Sequence, residues 1–190
     1  RKVLALEPER LEALINLANL LRSNGDAAAA RDLLTPALAR NLDAPELWLT
    51  LGSAYRALND SDAAIEHYRR ALELKSNYAA ALANLADMIC QRGETDEALS
   101  FYDRALRAEP DNAQAKLNRA ILLLLTGDLK RGWRDYAARL KIAGKAPQTD
   151  HGLPAWAGAN LKNKRLLVTA EQGVGDELMF ASLIPALVAR

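Results

Sequence analysis

Residues 45–78 read PELWLTLGSAYRALNDSDAAIEHYRRALELKSNY, and the order of large, small and turn-forming residues in this stretch decides the fold. Trp48, Leu51 and Tyr55 are spaced by three and four, which puts large apolar side chains on one face of a helix. Asn59 tolerates the left-handed backbone that ends a helix. Asp60 follows it and suits both the N-cap and the positive dipole end of a second helix. Helix, tight turn, helix is therefore expected within these 34 residues.

On both sides of this stretch the same pattern recurs with no insertion. First positions at Leu11, Pro45, Ala79 and Ala113 keep a period of 34, and a fixed period of this size changes the reading of the whole chain. The eighth position holds Ala18, Gly52, Ala86 and Ala120, and the twentieth Ala30, Ala64, Ala98 and Gly132. Small residues there let two antiparallel helices cross closely. Leu14 and Leu82 join Trp48 at the fourth position, Leu17 and Leu85 join Leu51 at the seventh, and Leu21, Ile89 and Leu123 join Tyr55 at the eleventh. The turn position carries Gly25, Asn59, Gly93 and Gly127, each followed by an acid: Asp26, Asp60, Glu94 and Asp128. The fourth unit departs from the rest, with Lys116 and Arg119 at apolar positions and Arg139 where Ala37, Ala71 and Ala105 stood. Bulky charge there is expected to block further stacking and to end the array.

Trp48, Leu51, Gly52, Tyr55, Ala64, Tyr68 and Ala71, and again Ala98, Tyr102, Ala105 and Pro110, resemble the tetratricopeptide repeat family. The resemblance implies an all-α, right-handed superhelix of antiparallel helix pairs. Repeats are expected at 11–44, 45–78 and 79–112, with a terminal divergent repeat at 113–146 and the end of a truncated preceding repeat at 1–10. In such a family Trp48, Tyr68 and Tyr102 occupy packing positions.

Composition narrows the function classes. Lys plus Arg number 25 against 24 for Asp plus Glu, so no basic surplus marks the chain for nucleic acid or an anionic membrane. The apolar run from Ala120 to Leu125 is far shorter than the roughly 20 residues a membrane helix needs. With one cysteine, Cys90, and two histidines, His67 and His151, neither an internal disulfide nor a metal site is expected, and Cys90 has no neighbouring His to activate it. A reducing, cytoplasmic location fits. An opening at Arg1-Lys2 without Met or an apolar leader is what a chain cut from a longer one would show.

Helices of the first kind line the concave surface of such arrays, where the family binds proteins or extended peptides. The sixth position carries Asn16, Thr50, Asn84 and Asn118, a ladder able to donate to and accept from a peptide backbone whatever its side chains. A similar Asn row is used by O-linked N-acetylglucosamine transferases, which this array resembles; unliganded repeats carry Asn here as well. Asn19, Arg22, Ser53, Arg56 and Asp87 are expected nearby. Arg22 and Arg56 are open to two readings, an acidic ligand or a solvated face. No catalytic residue and no cofactor is assigned to the chain.

After Lys141 the period is lost. Residues 147–163 read as a linker and 164–190 as the first βα unit of a truncated α/β domain: the apolar run Leu166-Leu167-Val168, then Glu171-Gln172-Gly173-Val174-Gly175-Asp176, then a helical stretch. Glycines at a strand-to-helix turn can expose amides to an anion or a sugar hydroxyl, or can simply make the turn. Neither the third glycine of a dinucleotide site nor the Gly-Lys pair of a P-loop is present. The succession Gly132-Trp133, Tyr136, Arg139, Pro154, Trp156 and the glycine turn resembles bacterial proteins in which repeats precede a glycosyltransferase-like domain of the heptosyltransferase and O-linked N-acetylglucosamine transferase kind. That implies a parent enzyme using a sugar nucleotide, with the repeats recruiting its acceptor. The chain itself, holding one βα unit, is expected to have no transferase activity. Self-association through the cut ends or the apolar tail is the further expectation.

Overall fold

A computed structural model describes residues 10–142, and beyond them Gly152, Arg165 and Leu167. The expected linker at 147–163, most of the βα unit at 164–190 including Glu171, Gln172, Gly173, Gly175 and Asp176, and all but Arg10 of the remnant at 1–10 lie outside the described residues. The chain divides into two units, Arg1–Arg139 and Leu140–Arg190, and the helices belong to the first.

Eight α-helices follow in order: α1 (Leu11–Ser23), α2 (Ala27–Arg40), α3 (Pro45–Ala57), α4 (Ser61–Leu74), α5 (Ala79–Gln91), α6 (Thr95–Ala108), α7 (Ala113–Leu125) and α8 (Leu129–Tyr136), with a 3-10 turn over Ala137–Lys141. No strand occurs among the described residues. The architecture is an α-solenoid of four antiparallel pairs, α1–α2 to α7–α8, with each pair packed on the next.

The turns between paired helices repeat one solution. Gly25, Asn59, Gly93 and Gly127 all have positive φ, at 86°, 62°, 81° and 88°. This left-handed residue lets the next N–H reach back five residues: Asp26 to the Leu21 carbonyl, Asp60 to Tyr55, Glu94 to Ile89 and Asp128 to Leu123. Carbonyls otherwise orphaned at the helix end are thereby satisfied. Asp26, Asp60 and Asp128 then cap the second helix, each side chain accepting from a backbone N–H at 3.1 Å. Glu94 makes no such bond. Its extra methylene carries the carboxylate past the N–H that aspartate meets, and Asp96 and Glu97 supply the favourable charge in that first turn instead.

The small residues lie where helices cross. Ala18, Ala30, Ala64, Ala86, Ala98 and Ala120 are all buried. At Gly52 a Cβ would come 2.8 Å from the Tyr68 ring, and at Gly132 2.7 Å from the Leu124 side chain, so both positions admit only glycine without movement. Around these crossings two apolar clusters form. Leu14, Leu34, Leu47 and Leu51 centre the first, and Tyr68, Leu85, Ile89 and Tyr102 the second. Burying a large apolar side chain contributes about 1.5–3 kcal/mol.

Two expectations from sequence need adjustment. Trp48 sits at the rim of its cluster, half-buried; its indole N–H donates to the Leu42 carbonyl at 2.9 Å, and its ring lies against His67. The fourth pair was expected to present charge at its end, yet Arg119 points inward. Its Nη1 donates to Asp103 at 2.5 Å and its Nη2 to Asp135 at 2.5 Å, with the side chain 13% exposed. Arg119 thus ties α7 to α6 and α8. Among what α7 and α8 leave in solvent are four large apolar side chains, Ile121, Leu125, Leu129 and Trp133, beside the charged Lys130, Arg131 and Arg134.

Candidate binding groove

First helices meet first helices, α1 with α3, α3 with α5 and α5 with α7, whereas second helices have no comparable contact with one another. The first helices therefore lie on the inner radius of the array, and the residues they turn away from the second helices line a candidate groove.

The sixth-position ladder divides into two kinds of residue. Asn16 is exposed and Asn84 half-buried, and neither side chain is hydrogen-bonded among the described residues. Asn19 is likewise exposed and unbonded. Thr50 is buried, its hydroxyl donating to the Glu46 carbonyl at 2.7 Å. Asn118 is committed on both sides, its amide donating to Asp87 Oδ1 at 2.8 Å and its carbonyl accepting from Gln114 at 2.7 Å. Two ladder rungs are open to a ligand and two are engaged.

Asp87 is the centre of the polar groups. Oδ1 accepts from the Tyr102 hydroxyl at 2.5 Å as well as from Asn118, and Oδ2 from Arg56 Nη1 at 3.4 Å. One carboxylate thereby joins α3, α5, α6 and α7. Nothing in the apolar pattern announces this. The available signal was the period itself: a tyrosine at the twenty-fourth position faces the ninth position of its own repeat, and 15 residues separate Tyr68 from Ser53 as they do Tyr102 from Asp87.

The tyrosines respond to this setting. Burial is the largest cause raising the Tyr102 phenol above its ordinary value of 10.0, and the Asp87 charge adds to it. Tyr68 and Tyr78 are raised too, again chiefly by burial. A raised phenol favours the protonated folded state, so its contribution is complete below pH 10 and is lost as the pH climbs beyond. The denaturation midpoint is expected to fall above that pH, and Tyr102→Phe, which cannot ionise, to flatten the alkaline limb of a midpoint-against-pH curve. Cys90, packed at the core's edge, is also raised, by burial first and Asp87 second, which suits a packing residue better than a nucleophile.

Several charged groups outside the first helices pair with one another. A cavity of about 500 Å³ beside α4 is lined by Trp48, Ile65 and six charged residues, among which Arg92 pairs with Asp62 and Arg70 with Glu73. No group of three or more His, Cys, Asp or Glu side chains able to hold a metal occurs among the described residues. No helix among them is long and apolar enough to cross a membrane.

Family models described as tetratricopeptide repeat match residues 15–79, 49–110 and 90–132. The chain is 34% identical over 185 residues to protein FlbA of Caulobacter vibrioides, covering 95% of this chain and 31% of FlbA. It is 48% identical over 61 residues to human tetratricopeptide repeat protein 17, covering 32% of this chain and 5% of that protein. The chain thus spans less than a third of FlbA's length. Among solved structures it resembles TTC0263, a thermophilic repeat protein of Thermus thermophilus, with a TM-score of 0.67, 24% identity and coverage of 76% and 79% of the two chains. MamA gives a TM-score of 0.61 at 24% identity, over 74% and 82%. At that identity the likeness establishes fold.

Proposed function

Because the chain belongs to the tetratricopeptide repeat family, we propose that it is an interaction scaffold that takes a partner protein, presented as an extended polypeptide, along the surface formed by α1, α3, α5 and α7. One observation carries this reading. Asn16 and Asn84 stand at the same register of two first helices with unbonded carboxamides, and a carboxamide pairs with a passing backbone through both its N–H and its C=O. Asn118, engaged beyond them, ties α7 to α5 through Asp87.

The test is selection of binders from a phage-displayed library of random nonapeptides on the full chain, followed by amide-shift mapping. Perturbations confined to the first helices, and binding lost in Asn16→Ala/Asn84→Ala at an unchanged melting midpoint, are expected. Peptides mapping to α2, α4 and α6 would sink the groove reading. The extension to a parent glycosyltransferase, with these repeats as the arm that recruits its acceptor, rests on the sequence resemblance that runs from Gly132-Trp133 to the glycine turn at 171–176. Sugar-nucleotide turnover by the parent protein, accelerated for groove-binding acceptors, is its check.

A further inference from the structure

The same step along the array that gives Arg56 its acid leaves Arg22 without one. Arg56 and Asp87 are 31 residues apart, the twelfth position of one repeat against the ninth of the next. From Arg22 the equivalent step leads to Ser53. Ser53 offers a hydroxyl in place of a carboxylate, and that hydroxyl is occupied, donating to the Leu49 carbonyl at 3.0 Å and accepting from Tyr68 at 3.3 Å. Arg22 Nε is buried with no hydrogen-bond partner, and no carboxylate pairs with its guanidinium among the described residues. A buried donor of a charged group left unmatched is costly.

Arg56 next to it is only loosely held. Its contact with Asp87 Oδ2 is 3.4 Å, at the outer limit of a hydrogen bond, while Asp87 Oδ1 is taken by Tyr102 and Asn118. Arg22 and Arg56 hold the same twelfth position on the neighbouring first helices α1 and α3, so the two cations border one stretch of groove. The flanking ninth-position residues Asn19 and Ser53 are neutral. Positive charge in excess of acid is therefore local to this stretch, although the whole chain is nearly balanced, with a formal net charge of +1.

We infer that the groove takes an acidic peptide, one Asp or Glu side chain of which supplies to Arg22 the carboxylate that the second repeat lacks. This rests on the groove reading above and adds to it the chemistry of the occupant. A guanidinium fork and a carboxylate pair through two parallel hydrogen bonds. Arg56, released from its long contact, is in place to take the same carboxylate or the next acid along.

The experiment scores the library peptides selected on the full chain for Asp and Glu at a fixed position, and repeats the selection on Arg22→Gln and on Ser53→Asp. The second variant builds the missing carboxylate into the chain, where it pairs Arg22 and receives the Tyr68 hydroxyl as Asp87 receives that of Tyr102. Acid enrichment on the wild type, its loss on both variants, and a higher melting midpoint for Ser53→Asp are expected. For a selected peptide, Glu→Gln should weaken binding at least tenfold on the wild type and little on Arg22→Gln, a coupling that a double-mutant cycle isolates. Groove-mapped peptides that are neutral or basic would overturn the acidic preference and leave the groove reading standing. Acid enrichment that persists on both variants would overturn the assignment to Arg22. Peptides that map to the second helices would overturn both readings.

Discussion

Replacing Arg119 by alanine is expected to lower stability by about 3 kcal/mol, the order of cost of breaking a buried ion pair. Asp135 is 8% exposed and would lose its two bonds from Arg119, at 2.5 and 3.1 Å, keeping only the Arg134 contact at 3.4 Å. Asp103 would lose the 2.5 Å bond that ties α6 to α7. Since each pair in a solenoid contacts only its neighbours, the loss should be local. Hydrogen exchange should rise in α7 and α8 well before α1 to α4, and a uniform rise along the chain would argue against the ion network as the cause. Arg119→Leu with Asp135→Leu, which removes the main charges together, should recover much of the loss, because a packed apolar pair avoids the desolvation that the ionic pair carries.

Asp87→Ala is expected to cost about 2 kcal/mol, set mainly by the buried Tyr102 hydroxyl left without its acceptor. Asn118 and Arg56 would also be freed. Its functional signature differs from that of Arg119→Ala. Arg56 would gain a free guanidinium in the groove, so acidic peptides should bind more tightly to the folded variant even as its melting midpoint drops. A chemical-denaturation curve read beside peptide titration separates the two effects. Equal or weaker binding of acidic peptides would show that Arg56 does not face the ligand.

Most of the fold was legible in the sequence because its determinants are local and repeat. A residue able to take positive φ at the fifteenth position, an acid after it, and small residues at the eighth and twentieth positions each act within a single helical hairpin, and the structure places them accordingly. The site was less legible because its bonds cross between repeats. Arg56 to Asp87 and Asp87 to Asn118 both span 31 residues, a separation that no helical period marks, and their partners differ at each step. Arg119 shows the same limit. A charge at an apolar position reads as an end until Asp103 and Asp135, both 16 residues away, are seen to converge on it. Glu94 shows a smaller one, where the acid character is legible and its reach is not.

The first helices bear on one another while the second helices stand apart, and this asymmetry has a mechanical consequence. Under tension along its axis such an array straightens by relaxing contacts between first helices, which are few, and leaves each hairpin's interior untouched. It behaves as a soft spring made of stiff coils. If a polypeptide is held along the inner radius as proposed, it shares that load, and its binding is expected to change the array's pitch.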